Sequence, residues 1–344
     1  MSTVQVDTIN ESTTGSGVTV DGVLIKDSAI NASSVSGINR KNLIINGNFD
    51  IWQRGTSFTA TGYTADRWYA IVSGTGTTTI SQQSFTLGQT DVPNEPKYYL
   101  RIAKSSGATS GDYLSSKNEN VRTFAGQATV VSFYAKASAA TTLTPTIRQN
   151  FGTGGSPSSV NDSVKSDISV TTSWQKFTIT HTFDSISGKT LGTANDDHIE
   201  LFFNIQNAAG DSVDFAQFQW EKGSVATDFE VRPIGEELSL CQRYYSRTTS
   251  EVAYYGYAIM LCQNSASYRG IFSFVNTMRE APTISYSGSF QFAKSGVSRA
   301  PGSAFISTNG FQIDVGGSGF TVGDVDLLRS NNDTSAYLEA DAEL

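Results

Sequence analysis

The sequence predicts an all-β protein of more than one unit, on the basis of three observations. Short apolar runs, many with a period of two, recur along the chain, Gly and Ser clusters separate them, and no strand–helix–strand alternation is present. Only 16% of the residues are charged and 31 are Gly, which is typical of secreted or virion β proteins. A length of 344 residues indicates two or three domains.

Residues 1–41 form the first predicted unit. Short apolar stretches at 18–20 and 23–25 alternate with turns that contain Gly. A segment of this size and composition cannot bury a core of its own. We therefore expect an interchain β segment, in which strands of several chains pair. The alternative is an extended tail of low hydrophobicity.

Residues 42–233 predict a two-sheet antiparallel jelly roll. An apolar strand and an Asn46-Gly47 turn open this unit, since that dipeptide takes positive φ at low cost. Six longer runs follow, at 98–102, 128–135, 142–148, 174–183, 198–206 and 213–220. Alternation places one set of side chains in the core: Ile199, Leu201, Phe203, Ile205, Ala216, Phe218 and Trp220.

Residues 234–248 predict a short connector helix. Leu238, Cys241 and Tyr245 recur at helical spacing over 235–247, and Glu236 and Glu237 lie at its start, where the helix dipole favours acids. Residues 249–344 again contain short strands and predict a β-sandwich tip domain. Both Cys241 and Cys262 are expected to be small buried thiols without a disulfide.

Composition and motifs exclude several function classes. A net charge of −8 without a basic stripe argues against nucleic-acid binding. No apolar run approaches the length that spans a bilayer, so no membrane insertion is expected. The opening residues have no signal-peptide pattern, which predicts synthesis in a cytoplasm. Neither His181 nor His198 lies in a catalytic motif, and the Ser187–Thr190 stretch lacks the first glycine of a phosphate loop.

Four segments resemble parts of bacteriophage and carbohydrate-binding proteins. NLIINGNFDIWQRGTSFTATGYTADRW (42–68) is similar to the opening of carbohydrate-binding jelly rolls, of the galactose-binding-like or carbohydrate-binding-module-like type. DFAQFQWEKGSVATDFEVRP (214–233) resembles the closing strand and tail of such domains in phage tail fibres. FVNTMREAPTISYSG (274–288) resembles a segment of fibre C-terminal domains, and VDTINESTTGSGVTVDGVLIKDSAI resembles fibre necks.

This resemblance implies a homotrimeric phage tail fibre protein in the virion, made in the bacterial host cytoplasm. It would bind a host-surface glycan without catalysis and would join other tail proteins through its N-terminal segment. Two alternatives stay open. One is a tail adaptor that does not bind glycan. The other is a depolymerase tailspike, because paired carboxylates for glycoside cleavage can come from distant parts of a chain.

Glycan binding requires an aromatic face for the apolar side of a sugar and polar groups for its hydroxyls. Alternation predicts an outward polar set in the jelly roll, and Trp68 is the predicted surface aromatic. The candidate glycan-binding residues are Trp68, Tyr134, Lys136, Glu200, Asn204, Gln217 and Gln219. The alternative for this set is an ordinary solvated or interchain sheet face.

A structural calcium ion is a further expectation from the resemblance. In similar jelly rolls such an ion ties the first strand to the last through hard oxygen ligands, which Ca²⁺ prefers. Residue by residue, its acidic ligands would be Asp50 and Asp214.

Overall fold

The computed structural model describes residues 40–73, 76–107 and 110–344, together with the backbone of three short N-terminal strands. Those strands are β1 (Val18–Val20), β2 (Val23–Lys26) and β3 (Ala29–Ile30), and they form an antiparallel sheet in the order β1-β2-β3. The predicted interchain pairing and attachment role of residues 1–41 falls almost entirely outside the described residues, so it stays a prediction.

Residues 40–233, hereafter the jelly-roll unit, form two antiparallel sheets packed face to face. The front sheet has six strands, which in chain order are β4 (Ser57–Phe58), β7 (Thr78–Ser84), β8 (Tyr98–Lys104), β10 (Ala128–Ala137), β14 (Gln175–Thr182) and β16 (Ser212–Lys222). The back sheet has seven: β5 (Gly62–Tyr63), β6 (Trp68–Ile71), β9 (Ser110–Glu119), β11 (Thr141–Asn150), β12 (Asn161–Val164), β13 (Ile168–Val170) and β15 (His198–Asn207).

Spatially, the front sheet runs β14-β10-β16-β8-β7-β4 and the back sheet β12-β11-β15-β9-β6-β5, with β13 also paired to β11. The predicted all-β sandwich is confirmed. All six long runs read from the sequence become strands, because their alternation matches the two-residue period of a half-buried sheet.

The core between the two sheets consists mainly of aromatic and branched side chains. Ile199, Leu201, Phe203 and Ile205 of β15 are all fully buried, as predicted. Across the sandwich, Phe133 lies 5.0 Å from Phe203 between ring centres. This packing fixes which side chains of each strand face outward.

A β-bulge in β16 changes the predicted alternation. Tyr134 of β10 pairs with Ala216, whereas Ser132 pairs with Gln219, so two residues of β16 oppose one of β10. Gln217 takes φ 50° in this bulge. The prediction that Ala216 shares the core face of Phe218 is therefore wrong: Ala216 lies on the outer face with Tyr134.

The connector helix α1 spans Ile234–Gln242 and is shorter than predicted. The chain leaves the helix at Arg243, and the next strand β17 (Tyr245–Thr249) pairs with the last strand of the described chain, β25 (Tyr337–Asp341). Pairing with β25 ends the helix one turn early, and Tyr245 therefore belongs to a sheet. Cys241 and Cys262 are free and buried, as expected. None of the helices in the described ranges is long and apolar enough to cross a membrane.

Residues 245–344, hereafter the C-terminal unit, form a second β sandwich. Its small sheet has the order β17-β25-β20, where β20 is Thr283–Ser287. Its large sheet contains β18 (Gly256–Asn264), β19 (Ser267–Ser273), β21 (Phe290–Phe292), β22 (Gly302–Ser307), β23 (Gly310–Gly316) and β24 (Val325–Ser330), in the order β21-β24-β18-β19-β23-β22. Met260, Ile313, Leu328 and Leu338 belong to its core.

The C-terminal unit is docked on the jelly-roll unit through a buried ionic contact. The side chain of Arg67 is 1% exposed and forms a salt bridge with Glu343. Its guanidinium carbon lies 3.4 Å from the centre of the Tyr244 ring. Nearby, Arg54 pairs with Asp341 at 3.1 Å. The charges in this contact are mutually compensated, which a desolvated contact requires.

Main-chain acceptors extend the same contact. Tyr63 Oη and Lys117 Nζ each donate a hydrogen bond to the main-chain oxygen of Leu344 at 2.8 Å. Arg279 donates to the Asn195 carbonyl oxygen at 3.1 Å. The unit predicted as a distal tip therefore packs directly against the back sheet of the jelly-roll unit.

Candidate functional site

The outer face of the front sheet carries a cluster of aromatic and charged side chains that we call the front patch. It is formed by strands β8, β16 and β10, by the residue that follows β7 and by the residue that precedes β14. Its members are Phe85, Tyr99, Arg101, Lys136, Trp174 and Asp214.

Three aromatic rings form one side of the front patch. The ring centres of Phe85, Tyr99 and Trp174 lie 4.8–5.5 Å apart, and Tyr99 meets Trp174 edge to face at 84°. All three side chains are half-buried. Such a cluster holds its rings in place through mutual packing and still presents ring surface to solvent.

Charged groups form the other side of the front patch. Both carboxylate oxygens of Asp214 accept from Arg101, at 2.7 and 2.9 Å. The Lys136 ammonium lies 3.9 Å from Asp214 and 5.1 Å from the centre of the Trp174 ring. At 3.9 Å the ammonium forms an ion pair with this carboxylate but no hydrogen bond, and the Lys136 side chain is 30% exposed beside the indole. The patch thus combines an aromatic face with a cationic donor.

Tyr134 adjoins the front patch. Residues 223–233, which follow β16 and are called the tail, lie next to Tyr134. Tyr134 is half-buried on the outer face of the front sheet. Its phenol pKa is raised, first by burial and then by the nearby Asp228 carboxylate of the tail. Lys176, which pairs with Tyr134 across strands, donates to the Thr227 carbonyl oxygen at 3.2 Å. Of the predicted set, Tyr134 and Lys136 therefore lie together on this surface.

Gln217 and Gln219 are not available to a ligand, which corrects the prediction. Gln219 is fully buried because the tail crosses over it: its amide donates to Glu221 at 2.7 Å and accepts from the Glu230 amide at 2.8 Å. Gln217 is 2% exposed and donates to the Pro93 carbonyl oxygen. Burial under the tail and the bulge could not be read from alternation alone.

The prediction that Trp68 is a surface aromatic of the glycan site is also wrong. The residue is fully buried, its indole nitrogen donates to the Asn46 carbonyl oxygen at 3.0 Å, and its ring packs against Phe49 and Phe218. A tryptophan enclosed on all sides cannot stack on a sugar. It instead joins the opening Asn-Gly turn to the core.

Glu200 and Asn204 lie on the outer face of the back sheet, on the opposite side of the sandwich. Glu200 is 6% exposed and bonded to Arg148 at 3.2 Å. Asn204 donates to the Tyr113 hydroxyl at 3.3 Å, and Phe202 lies between the two on β15. The predicted single constellation is therefore split between two surfaces.

The two acids predicted to bind calcium do not fit such a site. Both carboxylate oxygens of Asp214 accept from Arg101, and Lys136 lies 3.9 Å away, so two cations of the protein already compensate the charge that a metal ion would use. Asp50 accepts from Asn48 at 2.9 Å, and its pKa is raised chiefly by burial. Across the described residues, no group of three or more His, Cys, Asp or Glu side chains could hold a metal ion.

Three acid–base side chains with shifted pKa values, Asp66, His181 and His198, lie outside the front patch. Burial raises the pKa of Asp66 to about 6, but this residue is fully buried near the docking contact, where it accepts from the Gln53 amide at 2.9 Å. Burial and then Lys165 lower the pKa of His181 to about 4, so the ring is neutral at physiological pH. His198 is buried at a strand start, and its Nδ1 lies 2.7 Å from the Asp196 carbonyl oxygen. The neighbouring acids thus contact it through main chain rather than through a carboxylate.

Sequence reasoning missed four members of the front patch: Phe85, Tyr99, Arg101 and Trp174. Trp174 stands at the edge of a predicted strand, and Tyr99 and Arg101 alternate within another. The period of two in that strand was a usable signal for an outward Tyr99–Arg101 pair. Only the strand order brings them beside Lys136.

Comparisons with known proteins give matches among solved structures only. The chain matches no protein-family profile and no curated protein. The module TmCBM61 in complex with β-1,4-galactotriose is 12% identical, with 54% of this chain and 100% of the module covered and a TM-score of 0.34. The CBM22-1 xylan-binding domain from Paenibacillus barcinonensis is 15% identical, covering 49% and 94%, with a TM-score of 0.30.

A phage protein is also among the matches. Tailspike protein 4 of bacteriophage CBA120 is 13% identical in its enzymatically active domain, with 53% of this chain and 21% of that chain covered and a TM-score of 0.35. These similarities are too weak to transfer a ligand or an activity.

Proposed function

We propose that the jelly-roll unit binds a cell-surface glycan at the front patch, without catalysis. The single observation that carries the proposal is the half-buried Trp174 ring with the Lys136 ammonium 5.1 Å from its centre. An aromatic ring provides a surface for the apolar face of a sugar, and an adjacent ammonium provides donors for hydroxyl or carboxylate groups.

The Arg101–Asp214 pair supports this use of the patch. Asp214 is almost fully buried, and its bidentate contact holds Arg101 along the sheet. A site whose charged side chains are already fixed loses little conformational entropy when a ligand binds. The expected ligand is a saccharide rather than a nucleic acid, because the chain carries a net charge of −8.

At the level of the whole protein, we propose a phage tail fibre or fibre-like tail protein that attaches the virion to its host. The support is the resemblance of residues 42–68, 214–233 and 274–288 to segments of such proteins. A trimer would present three weak sites at once, and their combined binding could be tight through effective concentration. The N-terminal segment would join the protein to other tail components.

The test is binding of the full-length chain to an array of bacterial polysaccharides, followed by calorimetry with each glycan that binds. Trp174→Ala should weaken binding about tenfold, since loss of one aromatic contact costs about 1.4 kcal/mol. Phe202→Ala, a half-buried aromatic on the opposite sheet, is the matched control and should bind normally. Equal loss in both variants, or loss only in Phe202→Ala, would reject the front patch.

A further inference from the structure

The large sheet of the C-terminal unit has an uncovered apolar outer face. Five side chains share this face, which we call the apolar face: Ile259 (74% exposed), Leu261 (47%), Ile271 (70%), Val325 (53%) and Leu327 (36%). Most exposed apolar residues of soluble proteins stand singly, whereas a contiguous group of this kind marks an interaction surface.

Strand pairing makes the group contiguous. Ile259 pairs with Leu327 and Leu261 with Val325 across β18 and β24. On the other side, Leu261 pairs with Arg269 of β19, and extending this register by two residues sets Ile271 beside Ile259. Directly opposed side chains on one face are close enough to contact each other, so the five form one surface over three strands.

The sequence of β18 supports burial of both faces of this sheet. Residues 258–262 read Ala-Ile-Met-Leu-Cys, without the polar alternation of a half-solvated strand. Ala258, Met260 and Cys262 point into the core of the C-terminal unit, while Ile259 and Leu261 point outward. A continuous apolar run is typical of a strand covered on both faces. The small sheet covers only the inner face.

The rim of the apolar face is electrically balanced. Arg269 pairs with Asp314 at 3.2 Å on one edge, and Lys294 pairs with Asp324 near the other. A strongly acidic or basic partner would not be attracted by a rim without excess charge. A surface that carries the same arrangement of positive and negative groups can pair with it. The five central side chains offer no donor for a sugar hydroxyl, so a glycan is a poor occupant.

We propose that the apolar face is an interface with a second copy of this chain. Identical chains usually associate symmetrically, so equivalent apolar faces can meet in pairs or surround the axis of a trimer. The apolar face lies in a different unit from the front patch, so its failure as an interface would leave the glycan proposal standing.

The experiment measures thiol labelling of Ile271→Cys in the full-length chain. Cys241 and Cys262 are buried and should react slowly, so the new thiol dominates the signal. Val275→Cys, at a position 85% exposed just beyond the end of β19, is the matched control. If the face is covered, Ile271→Cys should react about tenfold more slowly than Val275→Cys at high protein concentration and speed up on dilution, by mass action.

A second variant tests the cause of that protection. Ile259→Lys places a charge at the centre of the apolar face, so it should restore fast labelling of Ile271→Cys and lower the mass found by sedimentation. Val275→Lys should change neither. Equal labelling rates at positions 271 and 275 at every concentration would overturn the proposal, as would protection that survives Ile259→Lys in a protein of unchanged mass.

Discussion

Replacing Arg67 by Met tests how the C-terminal unit is docked. Arg67 is buried, pairs with Glu343 and lies under the Tyr244 ring. Met keeps the length of the side chain but removes its charge, and it bears the same backbone strain as Arg at φ 69°. The Glu343 carboxylate, itself 4% exposed, would lose its main partner in a desolvated contact.

The expected cost follows from this geometry. Breaking a buried ion pair from one side typically costs about 3–5 kcal/mol. Arg54 lies 3.4 Å from Glu343 and would still compensate part of the charge of the Glu343 carboxylate. We therefore expect Arg67→Met to lower the free energy of unfolding by about 3 kcal/mol, at the low end of that range. Adding Glu343→Leu should recover much of the loss, because the stranded charge is then removed.

The assay is urea unfolding followed by tryptophan fluorescence and by far-UV circular dichroism. All four Trp residues lie in the jelly-roll unit, so fluorescence reports that unit while dichroism reports the whole chain. Arg243→Met is the control: Arg243 pairs with Glu119 at 2.9 Å, but the side chains are 41% and 29% exposed. It should cost less than about 1 kcal/mol. Equal costs for both Arg variants, or additive costs in the double variant, would refute the reasoning.

Three further predictions concern pH and backbone geometry. The folded pKa of Asp66, about 6, lies above its ordinary value. The contribution of this group to stability should therefore be greatest below about pH 4 and decline as pH rises through 6. Asp66→Asn should flatten that pH dependence, measured as the urea concentration at the midpoint of unfolding. The folded pKa of His181, about 4, lies below its ordinary value. The stability that this group contributes should therefore be lost as pH falls from about 6.5 toward 4. His181→Gln should abolish that loss. Gly47→Ala should destabilise the jelly-roll unit by roughly 2–4 kcal/mol in thermal unfolding, because the new Cβ would lie 2.1 Å from the Phe218 carbonyl oxygen. Gly235→Ala meets nothing within 4 Å and is the control; equal melting temperatures for the two Ala variants would contradict the account.

The strands that could be predicted are those in which apolar and polar side chains alternate clearly. β15 and β16 appear within one or two residues of their sequence-based bounds. β9, with the sequence SGDYLSSKNE, was missed because its core side chains include small and polar residues such as Ser116 and Asn118. Hydrophobic periodicity carries little signal in such a strand.

The candidate site was predicted only in part, for a physical reason. Alternation correctly sets Tyr134 and Lys136 on an outer face, but one bulge residue, Gln217, shifts the pattern along β16. Which outer faces are then covered depends on contacts between residues far apart in the chain. Glu230, for example, buries Gln219 from eleven positions away, and no local pattern encodes that contact.

The measurement that tests the central claim most directly is calorimetric titration of the full-length chain with a glycan selected from the array. The account predicts saturable binding by the wild-type chain and by Phe202→Ala, with about tenfold weaker binding by Trp174→Ala. Wild-type affinity in Trp174→Ala, with the fold intact by circular dichroism, would contradict a glycan site at the front patch.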